Sequence, residues 1–313
     1  MRVIKTNLFW LYAIIHLALP SSHLFAASCD SDTIKLQILG SRGPELLDEN
    51  ASTGYLVWID GKAKIMIDAG PGSLQRYKQA GADFTDLDII LFTHFHADHS
   101  ADFIGYMKAA QFTGRKRNLI VSGPSGSDFS SSLTEFVNRV LNVERGLYPY
   151  LGNYISKEYD SPFKLELLER HWTYEDLSIQ SLTKTDDYAI STVAVHHGAY
   201  PAIGYRIDSH GCSIAFTGDM SGRLGPMPDL AEDADILVAH LAIEEAAEGL
   251  PQILHMKPTY IGVMAKESSV KHLVLSHFMS RSLKHLDESL QIIKEEYKGP
   301  ITLAEDLMIL TPE

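Results

Sequence analysis

The chain reads as an α/β protein in which two mixed sheets are covered by helices. Two observations predict this. From Thr33 onward, short apolar and β-branched runs alternate with helix-like segments, and no low-complexity linker or internal repeat interrupts them. Every apolar strand face also needs a partner layer, a requirement met by two sheets with helical cover. A length of 313 residues suffices for one large domain.

At the amino terminus, Arg2 and Lys5 precede an apolar segment from Leu8 to Leu19, and Ala26, Ala27 and Ser28 follow Pro20-Ser21-Ser22. That order of basic, apolar and small residues predicts a secretory signal peptide over residues 1–28, ahead of a domain over 29–313. The apolar run is shorter than the roughly 20 residues of a spanning helix, and an uncleaved anchor is the alternative. Cleavage before Cys29 would make a cysteine the first mature residue, which leaves a lipid anchor open, although Phe25 stands where lipoprotein signals carry leucine. The protein is thus expected to be exported, periplasmic or secreted. Cys212 lies in a strand-like run ending at Phe216 and reads as a small buried apolar residue. The two cysteines could pair in an oxidising compartment, where sequence alone leaves their geometry open.

Strands are predicted near 34–39, 55–59, 64–67, 89–92, 119–122, 178–182, 190–195, 202–207, 213–216, 236–239, 273–275 and 308–310. Helices are predicted near 73–80, 100–112, 131–141, 257–266 and 283–297, several opening on capping-type residues. Residues 144–172 stand apart: Tyr148, Tyr150, Tyr154, Tyr159 and Trp172 are scattered among prolines, glycines and charges without a period. A lid or dimer contact with aromatic anchors and plain packing under an irregular loop both account for them.

The chemistry concentrates in His94-Phe95-His96-Ala97-Asp98-His99, which follows the buried-strand run 87–93. Three imidazoles and a carboxylate around one short turn at a strand's end make a metal site, and these donor types suit zinc, iron or manganese.

With Asp68-Ala69-Gly70-Pro71-Gly72 upstream and three segments downstream, the chain resembles the metallo-β-lactamase-fold hydrolases, whose signature is H-x-H-x-D-H. The downstream segments are His196-His197 with Pro201 to Ile207, Thr217-Gly218-Asp219, and Ser276-His277. The likeness spans roughly residues 34–311 and is strongest to the ribonuclease Z and arylsulfatase-like branch, through Pro201 to Ile207 and Gly123-Pro124-Ser125-Gly126. It implies a four-layer αββα sandwich with two divalent metal ions, zinc foremost, with manganese or iron as alternatives.

By this resemblance His94, His96 and His197 bind one ion, Asp98, His99 and His277 the other, and Asp219 bridges them. Chemistry alone does not separate His196 from His197; the family places its ligand four residues before the proline, here Pro201. Two such ions lower the pKa of a shared water so that it attacks in line, with Asp98 beside it as orienter or proton acceptor. Asp68 is expected behind the histidines, fixing their orientation. His255 corresponds to a histidine proposed in that branch to steady the phosphate and protonate the leaving oxygen. The branch's His-Glu pair is not matched, because Leu241 follows His240; Glu244 or Glu245 would have to substitute from another position. His240 is therefore expected to be structural.

The formal net charge is −13, which weighs against polyanionic partners and against transfer RNA maturation; Arg115-Lys116-Arg117 is a candidate basic patch or a solvated turn. The leading function is an exported metal-dependent hydrolase of phosphodiester or sulfate-ester bonds acting on a small-molecule or ester substrate, with catalytic Asp98 and His255. A β-lactamase or lactonase-type acyl hydrolase is the second reading and a non-catalytic metal-binding protein the third. Membrane contact is expected only through an uncleaved leader or a lipid on Cys29, and a homodimer is open.

Overall fold

The structure, a computed structural model, describes residues 29–312 apart from residue 174. The predicted signal peptide lies outside the described residues. No helix among these residues is long and apolar enough to cross a membrane.

Fourteen strands form two seven-stranded sheets among the described residues. The first contains β1 (Ile34–Gly40), β2 (Gly54–Ile59), β3 (Lys62–Ile67), β4 (Ile89–Leu91), β5 (Leu119–Pro124) and β6 (Leu165–Arg170). The second contains β7 (Gln180–Lys184), β8 (Ala189–His197), β9 (Tyr200–Ser209), β10 (Cys212–Phe216), β11 (Ile236–His240), β12 (His272–Ser276) and β13 (Ile301–Leu303). A last strand, β14 (Ile309–Leu310), crosses back to pair with β1 at the edge of the first sheet. In each sheet one part is antiparallel and the other parallel: β3 to β6 run parallel in the first, β10 to β13 in the second.

Period-two alternation sorts the strand side chains into layers. In β1 and β2, Ile34, Leu36, Ile38, Tyr55, Val57 and Ile59 face Ile203, Ile207, Ile214 and Val238 of the opposite sheet. Leu39, Leu56 and Met66 point the other way, into a cluster with Phe103, Met107, Leu133 and Val137. These belong to α3 (Phe103–Ala110) and α4 (Leu133–Leu141), beyond α1 (Ser73–Gln79) and the single turn α2 (Ala97–Ser100). A third cluster sets Val193, Leu237 and Leu273 against the helices of the second sheet. Those are α5 (Met227–Leu230), α7 (Pro258–Glu267), α8 (Ser280–Lys284) and α9 (Leu286–Glu296), while α6 (Leu250–Leu254) lies outside the cluster. Three apolar layers between four structural ones make the expected αββα sandwich. Fully burying one such Ile or Leu stabilises it by about 1.5–3 kcal/mol.

Four expectations change in detail. The helix predicted over 100–112 begins inside the histidine motif, as α2, and resumes as α3. Residues 144–172 are neither all lid nor all loop. They form a short 3₁₀ helix, Pro149–Tyr154, and the edge strand β6. There Tyr154 and Trp172 are buried and Tyr150 and Tyr159 exposed. Arg115 is no part of a basic patch or a solvated turn. It is 2% exposed, and its guanidinium donates to the carbonyls of Phe84, Leu87 and Asn118. Cys212 is buried as expected and is also bonded to Cys29, across 183 residues of chain. A thiol in that bond cannot carry a thioether lipid, so the pairing and the lipid anchor on Cys29 exclude each other.

Candidate metal centre

The histidine motif leaves β4 at the carboxyl end of the parallel strands, the rim where open α/β sheets place their ligands. Asp68, just past β3, organises it from behind. The backbone N–H and hydroxyl of Thr93 each donate to the Asp68 carboxylate at 2.8 Å, and His99 Nδ1 lies 2.7 Å from Oδ2. With Nδ1–H so engaged, His99 turns its Nε2 lone pair toward the centre, the orienting role expected of Asp68. Asp68 takes a left-handed backbone (φ 56°), as does His277 (φ 59°), each at a strand end that must turn sharply into the site.

Two groups of donor atoms form, each lying within 4.8 Å of one another. The first joins His94, His96, His197 and Asp219. His197 Nε2 faces His96 Nδ1 at 3.3 Å, and Asp219 Oδ2 lies 3.8 Å from the Nε2 atoms of both His94 and His197. Two nitrogens bound to one tetrahedral zinc at about 2.0–2.1 Å would sit about 3.3 Å apart. The tautomer of His197 is set by Nδ1–H donating to the Leu254 carbonyl at 2.8 Å. His94 Nε2 is buried and has no hydrogen-bond partner.

The second group centres on His277 Nε2. It lies 3.2 Å from His99 Nε2, 3.2 Å from Asp98 Oδ2 and 3.4 Å from Asp219 Oδ1. The donor atoms that lie within 4.8 Å of one another here belong to His99, Asp219, His240 and His277, with His240 Nδ1 2.7 Å from Asp219 Oδ1, whereas the expected ligand Asp98 borders the group through His277. The Tyr55 hydroxyl sits 3.0 Å from both His240 Nε2 and Ser276 Oγ. His240 thus has the Asp219 carboxylate on one ring nitrogen and the Tyr55 hydroxyl on the other. Sequence reading made His240 structural; here it stands among the donor atoms that could hold a metal, with the Asp219 carboxylate against its Nδ1. Asp219 thus faces both groups from between the sheets.

Burial would neutralise the carboxylates, but His277, His255 and His99 hold Asp219 well below the usual range. Asp98, likewise opposed by burial, is lowered by His99 and His277. Burial drives His197 down to about 3, against the pull of Asp219, and His240 to about 3. His94 falls well below its ordinary value through burial and through His99 and His197. His99 and His277 go the other way: burial is outweighed at His99 by Asp68, Asp98 and Asp219, and at His277 by Asp219 and Asp98. Among the described residues, the ion-pair partners of Asp68, Asp98 and Asp219 are histidines alone. Buried carboxylates without lysine or arginine need compensating charge, which divalent cations on these donors would supply. The donor set fits the metals that the sequence implies.

His255 follows α6 and hangs over the same carboxylate, Nδ1 3.7 Å from Asp219 Oδ2, with no hydrogen-bond partner for that nitrogen. Burial lowers it to about 4, while Asp219 works to raise it. Of the two glutamates offered in place of the missing one, Glu244 has a buried Oε2 without a hydrogen-bond partner and Glu245 is engaged elsewhere. Its carboxylate accepts from the Thr259 N–H at the start of α7. His196 alternates away from the centre, 2.9 Å from Ser221 Oγ and 3.3 Å from Arg223. Sequence reading did not single out Thr93, Tyr55 or Leu254, since a hydroxyl or a carbonyl behind a histidine leaves no pattern. Tyr200, whose ring meets His96 at 4.4 Å, was also missed.

The profile of the metallo-beta-lactamase superfamily matches residues 47–243. Ribonuclease Z of Mycobacterium avium is 25% identical over 291 residues, covering 88% of this chain and 96% of that protein. Among solved structures, the short form of human tRNase Z (ELAC1) has a TM-score of 0.69 at 19% identity, covering 89% of this chain and 99% of the other. The metallo-beta-lactamase fold protein YhfI from Bacillus subtilis has a TM-score of 0.66 at 20% identity, covering 90% and 100%. These structural likenesses carry the fold.

The ribonuclease Z relatives correct one expectation. Acidic net charge was read against nucleic acid, yet full-length relatives of this chain bear the names ribonuclease Z and tRNase Z. The physical reason is that net charge sums the whole surface, whereas a substrate meets one face, here with a cation-binding centre at its floor.

Proposed function

The chain belongs to the metallo-beta-lactamase superfamily as a metal-dependent hydrolase, and we propose that it is an exported hydrolase of phosphodiester bonds. The observation that carries this reading is Asp219, placed between two clusters of inward-turned imidazoles, with His255 above it. His94, His96 and His197 would hold one cation and Asp98, His99 and His277 the second, with Asp219 shared. When bound, two divalent cations supply Lewis acidity toward phosphoryl oxygens and a nucleophile from water near neutral pH.

This chain's own residues do the rest. Asp98, held ionised by His99 and His277, can orient an attacking water by accepting its hydrogen bond. His255 has a ring nitrogen to offer to a non-bridging or leaving oxygen. An anionic diester raises the affinity of His255 for a proton, against the burial that lowers it. Asp68 and Leu254 hold His99 and His197 in the tautomers that face inward. Support for the diester over an acyl substrate comes from His255, since a diester gains from a leaving-group acid, and from the ribonuclease Z relatives. Support for export comes from the Cys29–Cys212 disulfide, because such bonds persist in oxidising compartments.

The test is metal content of the purified protein together with turnover of bis-p-nitrophenyl phosphate, a 3′-extended transfer RNA, p-nitrophenyl sulfate, nitrocefin and a lactone. We expect near two metals per chain and diester cleavage that falls at least tenfold in His255→Ala. Turnover confined to the sulfate ester, to nitrocefin or to the lactone would reject the diester reading.

A further inference from the structure

Beside the metal centre, on the side of His96, lies a cavity of about 760 Å3 that the hydrolytic groups do not use. Its walls are unusual for a surface hollow. Phe129 is 70% exposed and Leu250 65%, and Ile253 and Tyr260 also show much of their side chains to solvent. Four large apolar side chains left wet around one opening are costly, at roughly 25 cal/mol per Å2, unless something covers them.

Each wall is fixed in place. The loop bearing Phe129 is closed by a Ser127–Ser130 backbone bridge and tied to the β8–β9 turn by Ser127 Oγ donating to the Ala199 carbonyl. Tyr200, on the far side of that turn, meets the His96 ring edge-on at 4.4 Å. Leu250 and Ile253 ride on α6, whose last carbonyl holds His197. Tyr260 packs on Gly222, where any side chain would meet its ring at 2.4 Å. Arg223 alone among the lining residues carries a full charge, and it has no carboxylate partner among the described residues.

We propose that this cavity is the specificity subsite: it takes a planar aromatic group of the substrate, joined to the phosphate that the metal centre engages. The inference rests on the phosphodiester reading above. Aromatic walls with one charged donor and a volume within the range of small-molecule sites suit a ring of nucleobase size. Tyr200 is the link, touching both the cavity and the His96 ring, so a ring seated on it is directly joined to a phosphate at the centre. Arg223 offers its N–H groups to an acceptor on that ring. A nucleobase or a simple aryl group would answer this description, and the experiment separates them.

The experiment is calorimetric binding of methylphosphonate, cyclohexylphosphonate, phenylphosphonate and adenosine 5′-monophosphate to the metal-loaded protein, beside Phe129→Ala and Tyr200→Ala. Stacking on one ring should make phenylphosphonate about tenfold tighter than methylphosphonate, with the non-planar cyclohexyl ligand in between. Each substitution should cut that preference several-fold, whereas Tyr150→Ala, at an exposed aromatic outside this cavity, should leave it intact. Tighter adenosine monophosphate than phenylphosphonate assigns a nucleobase, and the reverse order a simple aryl group. Equal affinity for the methyl and phenyl ligands overturns the subsite alone. No binding of any of them overturns the diester reading and the subsite with it. Phe129 stands on an exposed loop, so its variant keeps the test open should Tyr200→Ala misfold.

Discussion

The two sheets supply the centre in different ways. The first gives it one contiguous run, His94 to His99, braced by Asp68 from the neighbouring strand. The second gives it single residues from four strand ends and one helix end: His197, Asp219, His240, His277 and His255. A contiguous run can keep its local conformation by its own turn, since α2 begins within it. Dispersed ligands converge only when all the strands of their sheet are in register. The first half therefore offers donors, and the second half decides whether they face anything.

The largest break in this comparison should come from Asp219, the one carboxylate that faces both groups. Asp219→Ala should lose metal and lower turnover by roughly a thousandfold or more, read as metal per chain and as kcat. His94→Ala, by contrast, should leave about one metal per chain, because the second group keeps its own donors.

The next break is in the tie between the halves. Cys29 precedes β1 of the first sheet and Cys212 opens β10 of the second, so the disulfide fastens one to the other. Cys212→Ser should cost about 2–4 kcal/mol, measured as a lower unfolding midpoint in denaturant. A midpoint unchanged in oxidising buffer would separate the bond from the stability of the fold and remove the support that it lends to export.

A smaller effect sharpens the bracing of the first half. Asp68→Asn keeps the shape and removes the charge behind His99, so metal affinity should fall roughly 10- to 100-fold while the fold survives. Competition with a chelator reads the affinity, and circular dichroism checks the fold.

The smallest expected effect is in pH, and its sign differs between individual histidines. In the metal-free protein His197 is lowered from 6.5 to about 3, chiefly by burial. The unfolded chain then binds a proton that the folded one refuses, so stability present above 6.5 is lost as pH falls toward about 3. His99 is raised, because carboxylates led by Asp68 outweigh burial, so its contribution is present at low pH and is lost as pH rises through its folded value. Thermal unfolding of His197→Gln should therefore show a flatter acid limb between pH 6.5 and 3, whereas Asp68→Asn should remove the stabilisation that His99 brings at low pH. The same limb in both variants would reject this assignment of signs.

What the sequence determined by itself follows from periods and spacings. Alternating strands separated their two faces so cleanly that Ile34, Leu36 and Ile38 lie in one core and Leu39 in the next, and the four-layer sandwich follows. The H-x-H-x-D-H run and the order of the later segments named His94, His96, His99, His197, Asp219 and His277, which the structure gathers into two groups of donor atoms; His240, which joins the second group, was read as structural, and Asp98 borders that group through His277. Partners without a period were invisible. The Asp219–His240–Tyr55 chain, the Leu254 carbonyl on His197 and the ring of Tyr200 against His96 join residues 21 to 185 positions apart or a backbone atom of no particular type. Only tertiary packing could decide them, because Tyr55–His240 and His96–Tyr200 cross from one sheet to the other, and the remaining two depend on where separate elements of the second half end. Arg115 shows the same limit from the other side. Its charge predicted surface, and three carbonyls meeting at one buried point overruled it.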